Sequence, residues 1–119
     1  MANDAAPLDP ERLTMLQDLD SDGSLLSALA DEYGRDAEQQ LGVIREAINV
    51  GDASALERAA HTLKGASANL GAVAVAEQCR ELEMKGRAAA LDGAGDLAAS
   101  IASEIPRVNA ALARVASGA

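Results

Sequence analysis

The chain has 119 residues, a formal net charge of −9, one cysteine and one aromatic residue against 49% apolar residues. The length favours a single domain, the acidity argues against nucleic-acid binding, which needs a basic footprint, and a lone Cys79 excludes an internal disulfide. A core without Trp or Phe must be built from Leu, Ile, Val and Ala, which favours closely packed helices over strands.

Residues 1–8 read as a frayed start. Asp9-Pro10-Glu11 is a helix opening, with Asp as the cap, Pro at the first helical position and an acid in the first turn. Leu13, Leu16 and Leu19 give this short helix an apolar edge. Ser21-Asp22-Gly23-Ser24 breaks it and offers caps for the next. Leu26, Leu29, Tyr33, Ala37, Leu41, Ile44 and Ile48 then recur at helical steps over about seven turns, weakened but not stopped by Gly34 and Gly42. Gly51 ends that helix and Asp52 caps a third, roughly 53–70, which Gly71 closes. Val75, Cys79 and Leu82, joined by Val73 and Ala76, predict a fourth helix that stops near Gly86. A loop follows over Ala88 to Gly95. Leu97, Ile101, Ile105, Val108, Leu112 and Val115 mark a last helix of about five turns, in which Pro106 predicts a kink or a restart at Ser103. The expected fold is all-α: one domain over residues 1–119, an antiparallel up-down four-helix bundle with a short extra N-terminal helix.

The chemistry gathers on the third helix, around the sole histidine, His61. Placed around the helix axis at about 100° per residue, Leu56, Ala59, Ala60, Leu63, Ala66, Ser67 and Leu70 form one core-facing stripe. His61 lies roughly 160° from the centre of that stripe, so its imidazole points to solvent. Lys64 and Gly65 follow at the spacings where helical side chains meet. The charge distribution singles out the same region. Residues 1–57 hold three Lys or Arg against 13 Asp or Glu, whereas residues 58–87 hold five against three, a local excess of +2.

Four readings of His61 compete. A core histidine is the commonest for a lone imidazole, but the wheel places this one opposite the core. A metal site would need convergent ligands, and there is no second histidine. A general base would want a nucleophile and an orienting acid in a pocket, yet Thr62 and Ser67 lie on other faces. What remains is a nucleophile used in the open, on a substrate delivered by another protein. Neutral imidazole is competent for this, with an ordinary pKa of about 6.5, and an arriving phosphoryl group would meet the Lys64 ammonium.

His61-Thr62-Leu63-Lys64-Gly65, with Gly71 six residues beyond Gly65, resembles the signature of histidine-containing phosphotransfer (HPt) domains. The likeness runs on through Ala76, Cys79, Leu82-Glu83 and Gly86-Arg87 and covers nearly the whole chain. It implies a phosphorelay carrier that takes a phosphoryl group on His61 from a receiver-domain aspartate and passes it to another receiver. Lys64 would neutralise phosphoryl charge and Gly65 would leave room for the partner. Glu83 occupies a position where the family often carries a polar side chain, commonly Gln. A Glu there offers an orienting hydrogen bond but brings negative charge near a phosphohistidine, which Arg87 would offset. Arg58 is a secondary basic candidate. Leu13, Met15, Leu16, Leu25 and Leu26 are candidates for an apolar docking surface.

The implied partners are response-regulator receivers and a hybrid sensor kinase, with no nucleic acid, membrane or resident cofactor. Mg²⁺ is expected to come with the receiver. No Gly-rich nucleotide lid is present, so ATP-dependent kinase activity is not expected. A free-standing cytoplasmic monomer is the expectation, given an initiator-like Met1 and a plain Ser117-Gly118-Ala119 end. Two alternatives stand beside it. One is a non-catalytic helical adaptor that docks on receivers or kinases without carrying phosphate, a reading that Glu83 favours. The other is a dimeric bundle, which four long helices in one chain make unnecessary.

Overall fold

In the computed structural model, which describes residues 7–20 and 22–116, the predicted helical periodicities become five helices. They are α1 Pro10–Leu19, α2 Ser24–Val50, α3 Ala53–Leu70, α4 Val73–Ala88 and α5 Ala94–Ala116. No strand occurs among the described residues. The helices α2 to α5 close a bundle in which α2 and α4 each pack against both α3 and α5. Gly51-Asp52 and Gly71-Ala72 are two-residue links between neighbours that lie side by side, so the chain reverses at each and the topology is up-down. The 27 residues of α2 reach about 40 Å at helical rise, most of the 45 Å long axis of the molecule.

Local chemistry sets most of the ends. The Asp9 carboxylate accepts the Glu11 N–H at 3.2 Å, and Asp52 accepts that of Ala55 at 3.0 Å. Gly51 and Gly71 close α2 and α3 in the left-handed conformation, which glycine adopts without penalty. The frayed start expected over residues 1–8 does not extend to Leu8, which is buried in the core. The next residue is fastened as well, because the Asp9 N–H donates to the Gly71 carbonyl at 2.7 Å. Residues 1–6 lie outside the described part. Capping of α2 also differs from expectation. The carboxylate of Asp20, ahead of the predicted turn, accepts from Gly23, Leu25 and Leu26 at 2.8–3.2 Å, and within the turn Asp22 accepts from Ser24 at 3.0 Å; Ser21 lies outside the described residues.

Two further expectations are corrected in α4 and α5. The fourth helix stops at Ala88, near the predicted end, but Gly86 is not its terminator: it lies buried in the last turn, at a place where the helix touches α3 backbone to backbone. A Cβ built there would stand 2.8 Å from both the Ala53 carbonyl oxygen and the Glu57 nitrogen. The loop is therefore shorter than predicted, and α5 already begins at Ala94. Nor does α5 restart at Ser103: it runs through Pro106. Ile101 and Ile105 before the proline and Val108 and Leu112 after it are all fully buried, so both halves pack into the same core. Pro106 itself is exposed, where water can serve the carbonyl that its missing N–H leaves free.

The core is aliphatic save for Cys79 and for Tyr33, whose hydroxyl shares a 2.8 Å hydrogen bond with the buried Ser67. Burial pushes the Tyr33 phenol up to about 12, and burial, with the charge of Glu83 beside it, pushes the Cys79 thiol to about 12. Both groups ionise earlier in the unfolded chain, so their contribution to stability is intact at neutral pH. It falls from about pH 9 for the thiol and pH 10 for the phenol up to about 12, at about 1.4 kcal/mol per pH unit for each group. Urea midpoints measured from pH 7 to 11 are expected to drop steeply above pH 9. Tyr33→Phe flattens the upper part of that slope. A midpoint that stays level to pH 11 contradicts the assignment.

Candidate functional site

The wheel on α3 is reproduced in the fold: Leu56, Ala59, Ala60, Leu63, Ser67 and Leu70 are buried, with Ala66 partly so. On the opposite side the His61 side chain is 68% exposed. It is not free, however. Its Nδ1 lies 2.9 Å from Oε2 of Glu83 on α4. Glu83 is itself only 6% exposed, and its other oxygen accepts from Lys64 Nζ at 2.6 Å. Arg87, one turn further along α4, donates to Glu83 at 3.2 Å and to Glu57 of α3 at 3.0 Å.

A carboxylate in such a place must be compensated or protonated. Here the hydrogen bond from Lys64 holds the Glu83 carboxyl below its ordinary range, against the desolvation of its position, and the His61 contact adds to the effect. Glu83 is therefore ionised at neutral pH. An ionised carboxylate can only accept hydrogen bonds, which assigns the proton of neutral His61 to Nδ1. The lone pair is left on Nε2. The arrangement is an exposed nitrogen nucleophile oriented from below by a buried anion.

Gly65 completes the approach. It is exposed, and a Cβ added to it would meet nothing within 4 Å. Beyond it opens a groove of about 380 Å³ between α3, α4 and the start of α1. Gly65, Ala68, Val73 and Ala76 line it, and Lys64, Arg12 and Arg80 stand among its charged residues together with Asp9 and Glu77. Sequence reasoning missed this groove because its walls come from three helices. Val73, one of the apolar residues that predict α4, is 58% exposed.

Of the residues predicted for the site, the fold brings together His61, Lys64, Gly65, Glu83 and Arg87. Arg58 is not among them: it lies exposed and bonds Ser54 on its own helix at 2.6 Å. The predicted docking set divides. Leu26 is buried in the core, and Leu13 and Leu16 pack partly buried against it, because the α1–α2 turn folds them inward. Met15 and Leu25 stay exposed, at 55% and 39%, as does Leu19 at 74%. Among the described residues no cluster of three His, Cys, Asp or Glu side chains gathers to hold a metal, and no helix is long and apolar enough to cross a membrane.

Comparison with known proteins agrees with this geometry. The chain is similar to the crystal structure of histidine-containing phosphotransfer protein B (HptB) from Pseudomonas aeruginosa PAO1, with 33% identity and a TM-score of 0.85. The likeness covers 97% of this chain and 98% of that one. No curated protein sequence matches. The family model of the Hpt domain matches residues 28–118, and the chain belongs to that family, the histidine phosphotransfer proteins of two-component signalling.

Proposed function

We propose that this chain is a phosphorelay intermediate in which His61 accepts a phosphoryl group from the aspartyl phosphate of one receiver domain and passes it to the aspartate of another. The observation that carries the reading is the exposed imidazole fixed through Nδ1 by a buried carboxylate, beside a position with no side chain. The fixed ring offers Nε2 to an incoming phosphorus, and orientation of that kind removes much of the entropic cost of a bimolecular step. Lys64 supplies a point charge for the phosphoryl oxygens. Receiver domains, including that of a hybrid sensor kinase, are the partners, and Mg²⁺ enters with them.

Glu83, whose charge spoke for an adaptor that only docks, lies between Lys64 and Arg87, so it does not confront a phosphoryl group alone. The groove beside Gly65, with Ala68, Val73 and Ala76 in its walls, provides apolar surface next to the histidine. On this reading the carrier works as a cytoplasmic monomer and has no ATP-dependent kinase activity. The test is incubation with a ³²P-labelled, phosphorylated receiver. Label on the chain that is stable to base and lost in acid is expected. Receiver binding without any such label overturns the proposal in favour of the adaptor.

Gly65 yields a prediction in which stability and transfer change in opposite directions. Gly65→Ala meets no neighbour and gains about 1 kcal/mol of helix propensity. It narrows the approach to Nε2, and Gly65→Gln narrows it further. Thermal unfolding is expected to rise in both variants, while the transfer rate falls modestly for Ala and by tenfold or more for Gln, by the scale of a misplacement of about 1 Å. Unchanged transfer in Gly65→Gln would show that the partner does not pass over this position.

A further inference from the structure

Glu83 makes contacts that the nucleophile alone does not require. One buried carboxylate touches Nδ1 of His61, Nζ of Lys64 and Nη2 of Arg87 at 2.9, 2.6 and 3.2 Å. A neutral amide or a backbone carbonyl would orient the ring equally well. What a carboxylate adds is charge, and charge acts on the ring in both of its chemical states. The inference rests on the reading of His61 as the phosphoryl carrier.

We propose that Glu83 is a positioning residue whose charge keeps Nδ1 of His61 protonated in the free and the phosphorylated ring alike, so that the phosphoryl group enters and leaves at Nε2 with no proton transfer. On entry, the Nε2 lone pair bonds to the phosphorus of the receiver's aspartyl phosphate. The P–O bond to the aspartyl oxygen breaks and its electron pair returns to the aspartate carboxylate. The ring becomes a phosphorylimidazolium, a cation that retains the Nδ1–H donated to Glu83. On exit, a carboxylate oxygen of the second receiver bonds to phosphorus, the P–N bond breaks, and its pair returns to Nε2. The leaving group is neutral imidazole. Without the Nδ1 proton it would be the anion imidazolate, a far worse leaving group.

The surrounding charges fit this cycle. From α3 the carboxylate faces Lys64, from α4 it faces Arg87, and Arg87 is shared with Glu57 of α3. The Cys79 thiol, whose ionisation Glu83 opposes, stays neutral. When the phosphoryl group is in place, its roughly two negative charges and the Glu83 carboxylate face Lys64, Arg87 and the ring cation. Lys64 moves from the carboxylate toward the phosphoryl oxygens while the ring cation takes over part of its role at Glu83. A neutral side chain at position 83 would leave this balance to water.

Glu83→Gln tests the idea, because it preserves length and an acceptor oxygen while removing charge. Both chains are phosphorylated with potassium phosphoramidate and their rings followed by long-range ¹H–¹⁵N NMR; a single histidine gives a single ring to assign. Transfer from the loaded chains to a purified receiver domain with Mg²⁺ is timed between pH 6 and 9. The variant is expected to fold and to take up phosphate, but to lose its Nδ1 proton about one pH unit lower than the wild type. Its transfer rate then falls roughly tenfold at pH 8 and less than about twofold at pH 6, one pH unit being a factor of ten in the protonated fraction. Identical ring signals and identical pH profiles in the two chains overturn the role of Glu83 alone. A wild-type chain that takes no phosphate on His61 overturns the carrier reading, and this proposal with it.

Discussion

Chains carrying His61→Gln take no base-stable, acid-labile label from a phosphorylated receiver and unfold at the wild-type urea midpoint. The two halves of this expectation have separate causes. A carboxamide nitrogen has no available lone pair for attack on phosphorus, and no second histidine exists to substitute. The loss is therefore complete rather than partial. Stability is spared because the His61 side chain is 68% exposed and substitutions at such positions usually lie within about 0.5 kcal/mol of wild type. The glutamine amide can still donate to Glu83, so the buried carboxylate keeps a partner in place of Nδ1. Label that persists on the variant with phosphohistidine chemistry would remove His61 from the mechanism. A lower midpoint that corresponds to a loss of several kcal/mol of unfolding free energy would show that the imidazole supports the fold.

The largest effect on the fold is expected at Gly86. Alanine at this position puts its Cβ 2.8 Å from the Ala53 carbonyl oxygen and from the Glu57 nitrogen, both backbone atoms of α3. Backbone cannot rotate aside as a side-chain tip can, so α4 must move away from α3. Overpacking of this kind costs about 1–3 kcal/mol, and the better helix propensity of alanine returns only about 1. We expect a net loss of about 1 kcal/mol for Gly86→Ala, with about 2 as the upper bound, and more for Gly86→Val, read as a lower urea midpoint. The site should suffer as well, since Glu83 and Arg87 stand on the helix that is pushed away. The ring signal of His61 is expected to lose its Glu83 contact in both variants. Set beside Gly65→Ala, the same substitution in a neighbouring helix differs by about 2 kcal/mol, with opposite sign. A Gly86→Ala chain as stable as the wild type would show that the two helices do not meet so closely.

These two glycines also mark how far the residues could be read without a structure. On α3 the spacing of Leu56, Ala59, Ala60, Leu63 and Leu70 determines the inward face, so the outward His61, Lys64 and Gly65 follow from one helix alone. Gly86 does not yield to the same reading. Lys85-Gly86-Arg87 has the local chemistry of a helix end, and only the approach of α3, 29 residues earlier at Glu57, reveals a packing contact. Leu26, which fits both the apolar periodicity of α2 and the docking set, is core, and Val73, one of the apolar residues that predict α4, is surface. The cap of α2 by Asp20 required the turn itself. Glu83 is the intermediate case. Its position opposite the histidine was legible from the family resemblance, but its engagement with Lys64 and Arg87 required the fold.

The attachment of α1 has a consequence for how the molecule opens. That helix has no fully buried residue of its own; Leu8, the Asp9–Gly71 hydrogen bond and the half-buried Leu13 and Leu16 hold it in place. Detaching it breaks a few contacts, whereas detaching any bundle helix breaks the core. Its amides should therefore exchange with solvent through a local event of low free energy, while those of α2 to α5 wait for global unfolding. Asp9 and Arg12, which stand in the groove beside Gly65, belong to this loosely held piece. One wall of the surface next to the histidine is thus yielding and the other two are rigid, so a partner can adjust the width of the groove without paying to deform the bundle.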